Sequence, residues 1–101
     1  MRTHRWLRKR EIVSIIDKFE HVTNPRRPLG DPTTPTMTDI AFWLGIGPST
    51  HLLKLLYEME QEGLIFGVEF THRRGITANA WRVGHEGKQL LAQMRKERLS
   101  L

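Results

Sequence analysis

The chain has 101 residues, which is enough for one domain with a single core but not for a second core beside it. Its formal net charge of +5 suits a polyanionic partner, although many soluble proteins are basic for solubility alone. The absence of cysteine excludes a disulfide framework and a cysteine nucleophile, and it fits a reducing cytoplasm. No stretch forms a signal peptide or approaches the roughly 20 apolar residues of a membrane span. We therefore expect a soluble cytoplasmic protein, residues 1–101 forming one domain, with no membrane partner.

The first third of the chain predicts a helix followed by a connector. Within residues 4–22, Ile12, Ile15 and Ile16 recur at the spacing of one apolar helix face. Residues 23–36 contain four of the five prolines, and proline removes a backbone donor and restricts the residue before it. This segment therefore predicts a non-helical connector, unusually long for so small a domain.

Residues 38–63 have the pattern of a helix-turn-helix. Thr38 is the predicted N-cap of a short helix that ends at Gly45. Pro48 stands at the predicted first position of a longer helix, because its missing N–H is not needed there. The buried face of the longer helix is predicted from residues spaced three or four apart, which are Leu52, Leu55, Leu56 and Met59.

Residues 64–83 change from helical to alternating periodicity and predict a β-hairpin. Trp81 and Val83 are predicted on the inward face of the second strand, and residues 71–79 make a long turn. In the first strand, one face is predicted to carry Leu64, Phe66, Val68 and Phe70. Residues 85–99 predict a final helix whose narrow apolar stripe is Leu90, Leu91 and Met94.

Four short motifs in these elements are typical of one protein family. They are Ile40-Ala41, Leu55-Leu56, Glu62-Gly63-Leu64-Ile65 and the run WRVGHEGKQLL at 81–91. The chain thereby resembles the winged helix-turn-helix domains of bacterial transcriptional regulators, especially the MarR-like and PadR-like groups. The resemblance covers about half of the chain. It implies a mostly helical α+β fold with a three-helix core, a β-hairpin wing and a C-terminal helix, and it implies binding of double-stranded DNA, commonly as a homodimer, in transcription regulation at the nucleoid.

The resemblance also implies which residues meet DNA. In a winged helix-turn-helix the longer helix enters the major groove, and the wing touches the backbone or the minor groove. The candidate residues on the longer helix are Ser49, Thr50, His51, Leu53, Lys54 and Tyr57. The candidates in the wing are His72, Arg73 and Arg74, and further phosphate contacts are predicted at Arg26 and Arg27 in the connector and at Arg8, Lys9 and Arg10 in the first helix.

Each candidate also has a plain structural interpretation. Exposed lysines and arginines are usually just a solvated surface, and His51 would serve equally well in a structural hydrogen bond. Residues 36–70 carry five carboxylates against Lys54 alone, for a local net charge of −4. This distribution weakens the expected base reading by the longer helix and gives the wing and the flanks a larger share of phosphate binding.

Two large apolar residues, Phe42 and Trp43, occupy positions that are usually polar in this family, as does Leu53 on the longer helix. Exposed apolar side chains of this size need a partner. The preferred interpretation is that they pack against the connector or the N-terminal segment. The alternative is a protein-protein interaction module that binds a protein partner through Phe42, Trp43 and Leu53.

The chemistry-bearing residues do not form a recognisable catalytic or metal site. The five histidines are isolated along the chain, so zinc is not expected, and no cofactor is implied. No phosphate loop and no nucleophile elbow is present, so we do not expect an enzyme. Two hypotheses remain open from the sequence: a DNA-binding regulator, which we favour, and a protein interaction module.

Overall fold

The computed structural model describes residues 4–21, 35–71 and 77–99. Within these ranges, four helices and a two-stranded antiparallel hairpin make a mostly helical α+β fold. In chain order the elements are α1 (His4–His21), α2 (Met37–Leu44), α3 (Thr50–Gln61), β1 (Ile65–Thr71), β2 (Thr77–Val83) and α4 (His85–Leu99). Most of the predicted connector, at 22–34, lies outside the described residues, as do residues 72–76 of the hairpin turn.

The N-cap of α2 is Thr36, and the sequence prediction of Thr38 is wrong. The Thr36 hydroxyl accepts a hydrogen bond from the backbone N–H of Asp39 (3.3 Å), and the Asp39 carboxylate accepts one from the backbone N–H of Thr36 (2.8 Å). This reciprocal pair requires an acidic or amide side chain three residues after the cap, which Thr36 has and Thr38 lacks. The helix ends as predicted at Gly45, whose φ of 74° lies in the left-handed region that favours glycine.

The start of α3 also differs from the prediction. The helix begins at Thr50 with Ser49 as its N-cap, so Pro48 precedes the helix and is not its first residue. The Ser49 hydroxyl accepts a hydrogen bond from the backbone N–H of Leu52 (3.2 Å). A side-chain oxygen at the cap satisfies a donor that the helix itself leaves unpaired, and proline offers no such oxygen.

The core lies between α1, the two helices of the helix-turn-helix and the inner face of the hairpin. From α1, Ile12, Val13 and Ile16 are fully buried. Burial of each such side chain contributes on the order of 1.5–3 kcal/mol before the cost of chain ordering. The stripe predicted on α3 is buried throughout, and the remaining members of the core are Ile40, Ala41, Leu64, Ile65, Trp81, Val83 and Leu90.

The two strands of the hairpin are longer than the sequence predicts. Strand pairing runs from Ile65 opposite Val83 to Thr71 opposite Thr77, so residues 71 and 77–79, predicted in the turn, are paired instead. The ladder continues through these polar ends because backbone hydrogen bonds between strands do not require apolar side chains. The hairpin therefore extends its paired backbone well beyond the core.

The inner face of β1 is not the face with the larger apolar residues. Residues directly opposite each other in a ladder share a face, and Gly67 lies opposite the buried Trp81. Phe66 is on the other face and is exposed. An added Cβ at Gly67 would lie 3.0 Å from a Glu60 carboxylate oxygen and 3.5 Å from the Trp81 ring, so the Glu60 side chain would have to move to admit it. Of the residues predicted on the apolar face, Leu64 is buried just before the strand, whereas Phe66 is exposed.

Backbone contacts attach the hairpin to both flanking segments. The backbone N–H of Trp81 donates to the Pro35 carbonyl (2.9 Å), and Thr36 forms a bridge with Ala80. At the other end, α4 packs so closely at Gly87 that a Cβ there would overlap the Leu64 carbonyl oxygen. The residues that lead into α2, the hairpin and α4 thus make one packed unit with α3.

Candidate nucleic-acid interface

The N-terminal half of α3 presents a polar surface to solvent. Its Leu52 and Leu55 face the core, so the side chains on the opposite side of the helix are left outward. Leu53 is partly buried. The exposed residues of this surface are Ser49, Thr50, His51, Lys54 and Tyr57.

The C-terminal half of α3 is acidic, and α1 pairs with it. The Arg5 Nε lies 2.9 Å from a Glu58 carboxylate oxygen. The Lys9 ammonium lies 2.9 Å from Glu58 and 2.7 Å from Glu62. Arg5 and Lys9 are four apart on α1, and Glu58 is four residues before Glu62, the C-cap of α3, so each pair lies on one side of its helix. Two of the five carboxylates in residues 36–70 are therefore neutralised from outside that segment, and the local charge predicted to oppose DNA is partly offset.

The ion-pair cluster shifts the pKa values of Glu58 and Lys9. Hydrogen bonds from Arg5 and then from Lys9 lower the pKa of Glu58 from 4.5 to about 2. Burial alone would lower the pKa of Lys9, but hydrogen bonds to Glu62 and Glu58 outweigh it and raise that pKa. Both shifts favour the charged forms of Glu58 and Lys9, so the ion pairs between α1 and α3 persist over a wider range of pH.

The three consecutive basic residues of α1 that the sequence predicts as phosphate contacts have different surroundings. Lys9 is only 7% exposed and bound to carboxylates, so its prediction as a phosphate contact is wrong. Arg10 donates to Glu97 of α4 at 2.9 Å. Among the described residues, the ion pair of Arg8 is a long contact of 3.8 Å to Glu11, one turn along the same helix. Of the three, Arg8 is the one held least by the protein itself.

Two contacts set the position of the hairpin relative to α3. The rings of Tyr57 and Trp81 meet edge to face, with centroids 5.9 Å apart. The Glu60 carboxylate accepts a hydrogen bond from the backbone N–H of Gly67 at 2.8 Å. This N–H lies in β1, so the carboxylate takes a donor that a two-stranded ladder leaves unpaired at its edge. Glu60 is thus occupied by a structural contact.

The predicted wing-tip and connector contacts lie outside the described residues. These are His72, Arg73 and Arg74 in the turn, and Arg26 and Arg27 in the connector. Strand pairing reaches Thr71 and Thr77, the residues that flank the turn. The roles assigned to these five side chains therefore stay predictions.

Two large apolar residues of α2 are mostly exposed. Phe42 is 79% exposed and Trp43 is 60% exposed. Trp43 meets Phe19 of α1 edge to face, with ring centroids 6.0 Å apart. The predicted packing against the N-terminal segment is therefore found in part for Trp43 and not for Phe42.

Two residues close to the candidate interface on α3, His4 and Arg5, are not among the site residues predicted from the sequence. Arg5 is ion-paired with Glu58, and His4 stands at the first position of α1. The signal that could have found the Arg5 pairing is the matched four-residue spacing of two cations on one helix and two carboxylates on another. That signal becomes useful only once the two helices are known to be neighbours.

The part of the chain that the structure describes contains no group of three His, Asp or Glu residues placed to hold a metal ion. None of its helices is at once long and apolar enough to cross a membrane. The chemistry available at the candidate surface is hydrogen bonding and positive charge, supplied by hydroxyl, imidazole and ammonium groups.

A short helix, a glycine-containing turn, a longer helix and a packed hairpin define a winged-helix-like fold. The whole arrangement is similar to the crystal structure of a candidate transcriptional regulator from Thermoplasma acidophilum, with a TM-score of 0.62 and 14% sequence identity, covering 96% of this chain and 88% of that one. At this identity the likeness shows a shared fold. No protein-family model and no curated protein matches the sequence, so neither the MarR-like nor the PadR-like group is singled out.

Proposed function

We propose that this protein is a DNA-binding transcriptional regulator that places the N-terminal half of α3 in a major groove. The observation that carries the proposal is the division of α3 into a buried apolar side and an exposed side with hydroxyl, imidazole and ammonium groups. Hydroxyls and His51 can donate or accept at base edges, while Lys54 supplies positive charge. The net charge of +5 and the fold shared with a candidate regulator support the same function.

The hairpin supplies the second part of the proposed interface. Its ladder extends beyond the core, and its Trp81 and Gly67 are attached to α3, so the wing and the helix would approach DNA together. Arg73 and Arg74 would contact the phosphate backbone or enter a minor groove, where the negative potential favours arginine. Arg26 and Arg27 are proposed as further phosphate contacts.

The test is a fluorescence-anisotropy titration at two salt concentrations, with a duplex selected from a random pool and a scrambled duplex. We expect a dissociation constant on the order of 10⁻⁸ M for the selected duplex, weaker binding of the scrambled one by about a thousandfold, and a steep salt dependence. His51→Ala should change the sequence preference. Arg73→Ala with Arg74→Ala should weaken both duplexes, whereas Lys88→Ala, at an exposed position near the start of α4, should leave both nearly unchanged.

Weak binding that ignores sequence and disappears near physiological salt would contradict a regulator that reads an operator. Unchanged preference in His51→Ala and unchanged affinity in the double arginine variant would show instead that a different face meets the DNA. Circular dichroism of each variant separates a lost contact from a lost fold.

A second candidate function is the binding of another protein through α2. The observation that favours it is the exposure of Phe42 and Trp43, because apolar side chains of this size on a surface commonly mark an interface. Leu53 contributes less to such a surface than the sequence suggests, since it is partly buried.

The two candidate functions are separated by Trp43→Ala. Under the protein-binding proposal, a partner captured from cell extract by the wild-type protein is lost on this substitution, while the far-ultraviolet spectrum and the DNA titration stay unchanged. The matched control is Phe66→Ala, which removes an exposed aromatic side chain from the hairpin. Equal capture by wild type and Trp43→Ala would remove α2 from consideration.

A further inference from the structure

An open groove of about 500 Å³ lies between the first turns of α1 and the start of α3. Its floor includes the apolar side chains of Ile46, Leu52 and Leu55. None of the described residues that line it is acidic. The polar residues of its walls are His4, Arg5 and Arg8 from α1, and Ser49, His51 and Lys54 from α3.

Two of the cations in this groove are not neutralised by strong ion pairs. Arg5 is held by Glu58 at 2.9 Å, which commits its charge to the cluster between α1 and α3. Arg8 has only the 3.8 Å contact to Glu11, and no salt bridge within the described ranges involves Lys54. Each wall of the groove therefore carries one cation without a strong ion pair. These cations are Arg8 from α1 and Lys54 from α3.

A hydroxyl group completes the set of donors. Ser49 accepts the backbone N–H of Leu52 through its oxygen, which leaves the hydroxyl proton available to a third group. An arginine, a lysine and a hydroxyl around a concave, acid-free surface are the donors that proteins use for phosphate oxygens. The groove also adjoins the exposed side of α3, where the proposed function places DNA bases.

We propose that the groove binds one phosphodiester of the DNA backbone, with Arg8 of α1 and Lys54 of α3 as its two cationic ligands. This inference rests on the proposed function, because it names a further contact with the same DNA. It makes α1 a part of the interface, and it gives the Arg5–Glu58 pair a positioning role, since that pair holds the two walls of the groove together.

The test is Arg8→Gln, which removes the charge and keeps a long side chain with hydrogen-bonding ability. A phosphate contact carries no sequence information, so the affinities for the selected and the scrambled duplex should fall by the same factor, about tenfold. The slope of log affinity against log salt should decrease by about one. Arg8→Lys should retain most of the affinity and the full slope, and Lys88→Gln, with the same loss of charge at an exposed position of α4, should behave like the wild type.

The outcomes distinguish this inference from the proposed function. If the wild type binds the selected duplex and Arg8→Gln binds it with unchanged affinity and slope, the groove is not a phosphate site, while the regulator proposal stands. A loss of affinity together with altered sequence preference overturns the phosphate assignment and makes Arg8 a base contact. A wild-type protein without any duplex binding overturns both proposals. The phosphate assignment is also overturned if a folded Arg8→Lys variant shows the same decrease in salt slope as Arg8→Gln.

Discussion

At the scale of single residues, the four-membered ion-pair cluster does the most to explain how α1 sits on α3. Lys9 is a nearly buried charge, which a protein tolerates only when partners take its hydrogen bonds. Glu58 and Glu62 are those partners, and Arg5 shares Glu58. The cluster also neutralises negative charge on the helix proposed to meet DNA.

This cluster predicts a specific dependence of stability on pH. The folded protein lowers the pKa of Glu58 from 4.5 to about 2, so its contribution is present above pH 4.5 and is lost as the pH falls towards 2. Glu58→Gln should therefore lower the urea midpoint at pH 7, and its difference from the wild type should shrink between these two pH values. Urea unfolding followed by circular dichroism at several pH values measures this.

The control for this prediction is Glu11→Gln. Glu11 makes only the 3.8 Å contact with Arg8, so its substitution should change the midpoint little at any pH. A Glu58→Gln difference that stays constant from pH 7 to pH 2 would mean that the ionised carboxylate is not the source of the effect.

The capping pair at the start of α2 gives a second prediction at this scale. Thr36→Ala removes the side chain that accepts the Asp39 N–H and should reduce the free energy of unfolding by about 1 kcal/mol. Thr38→Ala, two residues on, removes an exposed hydroxyl without a capping role and should change the free energy of unfolding by no more than about 0.5 kcal/mol. Equal losses in both variants would contradict the observed cap.

At the scale of elements, the packing of α4 on the turn before β1 decides whether replacing a glycine of α4 with alanine stabilises or destabilises the protein. Alanine is normally favoured over glycine within a helix by about 1 kcal/mol. At Gly87, however, a Cβ would overlap the Leu64 carbonyl oxygen and lie 2.8 Å from a methyl carbon of Val83. Gly87→Ala should therefore destabilise the protein by about 1–3 kcal/mol, and thermal or urea unfolding measures this.

Lys88→Ala is the neighbouring control for Gly87→Ala, because Lys88 is exposed on the same turn of α4. Its unfolding free energy should stay within about 0.5 kcal/mol of the wild type. If Gly87→Ala were instead more stable than the wild type, helix propensity would outweigh the contact, and α4 could not sit as closely on Leu64 as the structure has it.

The elements differ in how well the sequence predicts which side of each one faces the core. The stripe of α3 is predictable because helical spacing places Leu52, Leu55 and Leu56 on one side whatever lies opposite. The inner face of β1 is not, because it is set by the pairing of Gly67 with Trp81, which lies on the other strand. Phe66 is exposed, although alternation groups it with the buried Leu64.

At the scale of the whole molecule, the number of copies that bind DNA stays a prediction. The protein buries Gly87 and Leu90 of α4 in its own core, while Leu99 at the end of this helix is 88% exposed. We expect a homodimer, paired through the end of α4, that presents two copies of α3 to half-sites about 34 Å apart.

Light scattering of the full chain at micromolar concentration measures the number of copies. Leu99→Ser should shift a dimer towards monomer, and Gln93→Ser, at an exposed polar position of the same helix, should not. A monomer at every concentration, alone and with duplex, would contradict the dimer and limit each chain to a single half-site.

The distribution of charge is also a property of the whole molecule. The net charge of +5 says that a polyanion is a suitable partner but not where it binds. In the fold, carboxylates at α3 and α4 form ion pairs with Arg5, Lys9 and Arg10. The groove, by contrast, is lined by Arg8 and Lys54. Positive charge near α3 is thus concentrated at the end that carries the proposed base-reading residues.

The sequence by itself determined the features that depend on near neighbours. Helical spacing identified the buried side of α3, Gly45 identified the end of α2, and alternation identified the hairpin. Each of these follows from residues within a few positions of one another, because helix and strand periodicity and helix ends are local properties.

Only the tertiary structure decided which charges are neutralised and which face outward. Arg5 and Lys9 meet their partners across 53 positions of sequence, and the groove exists because α1 lies beside the start of α3. No pattern within one segment specifies such contacts, since a cation in a helix is equally suited to solvent, a carboxylate or a phosphate. Packing of the apolar core brings the helices together, and that placement selects the partner of each charge.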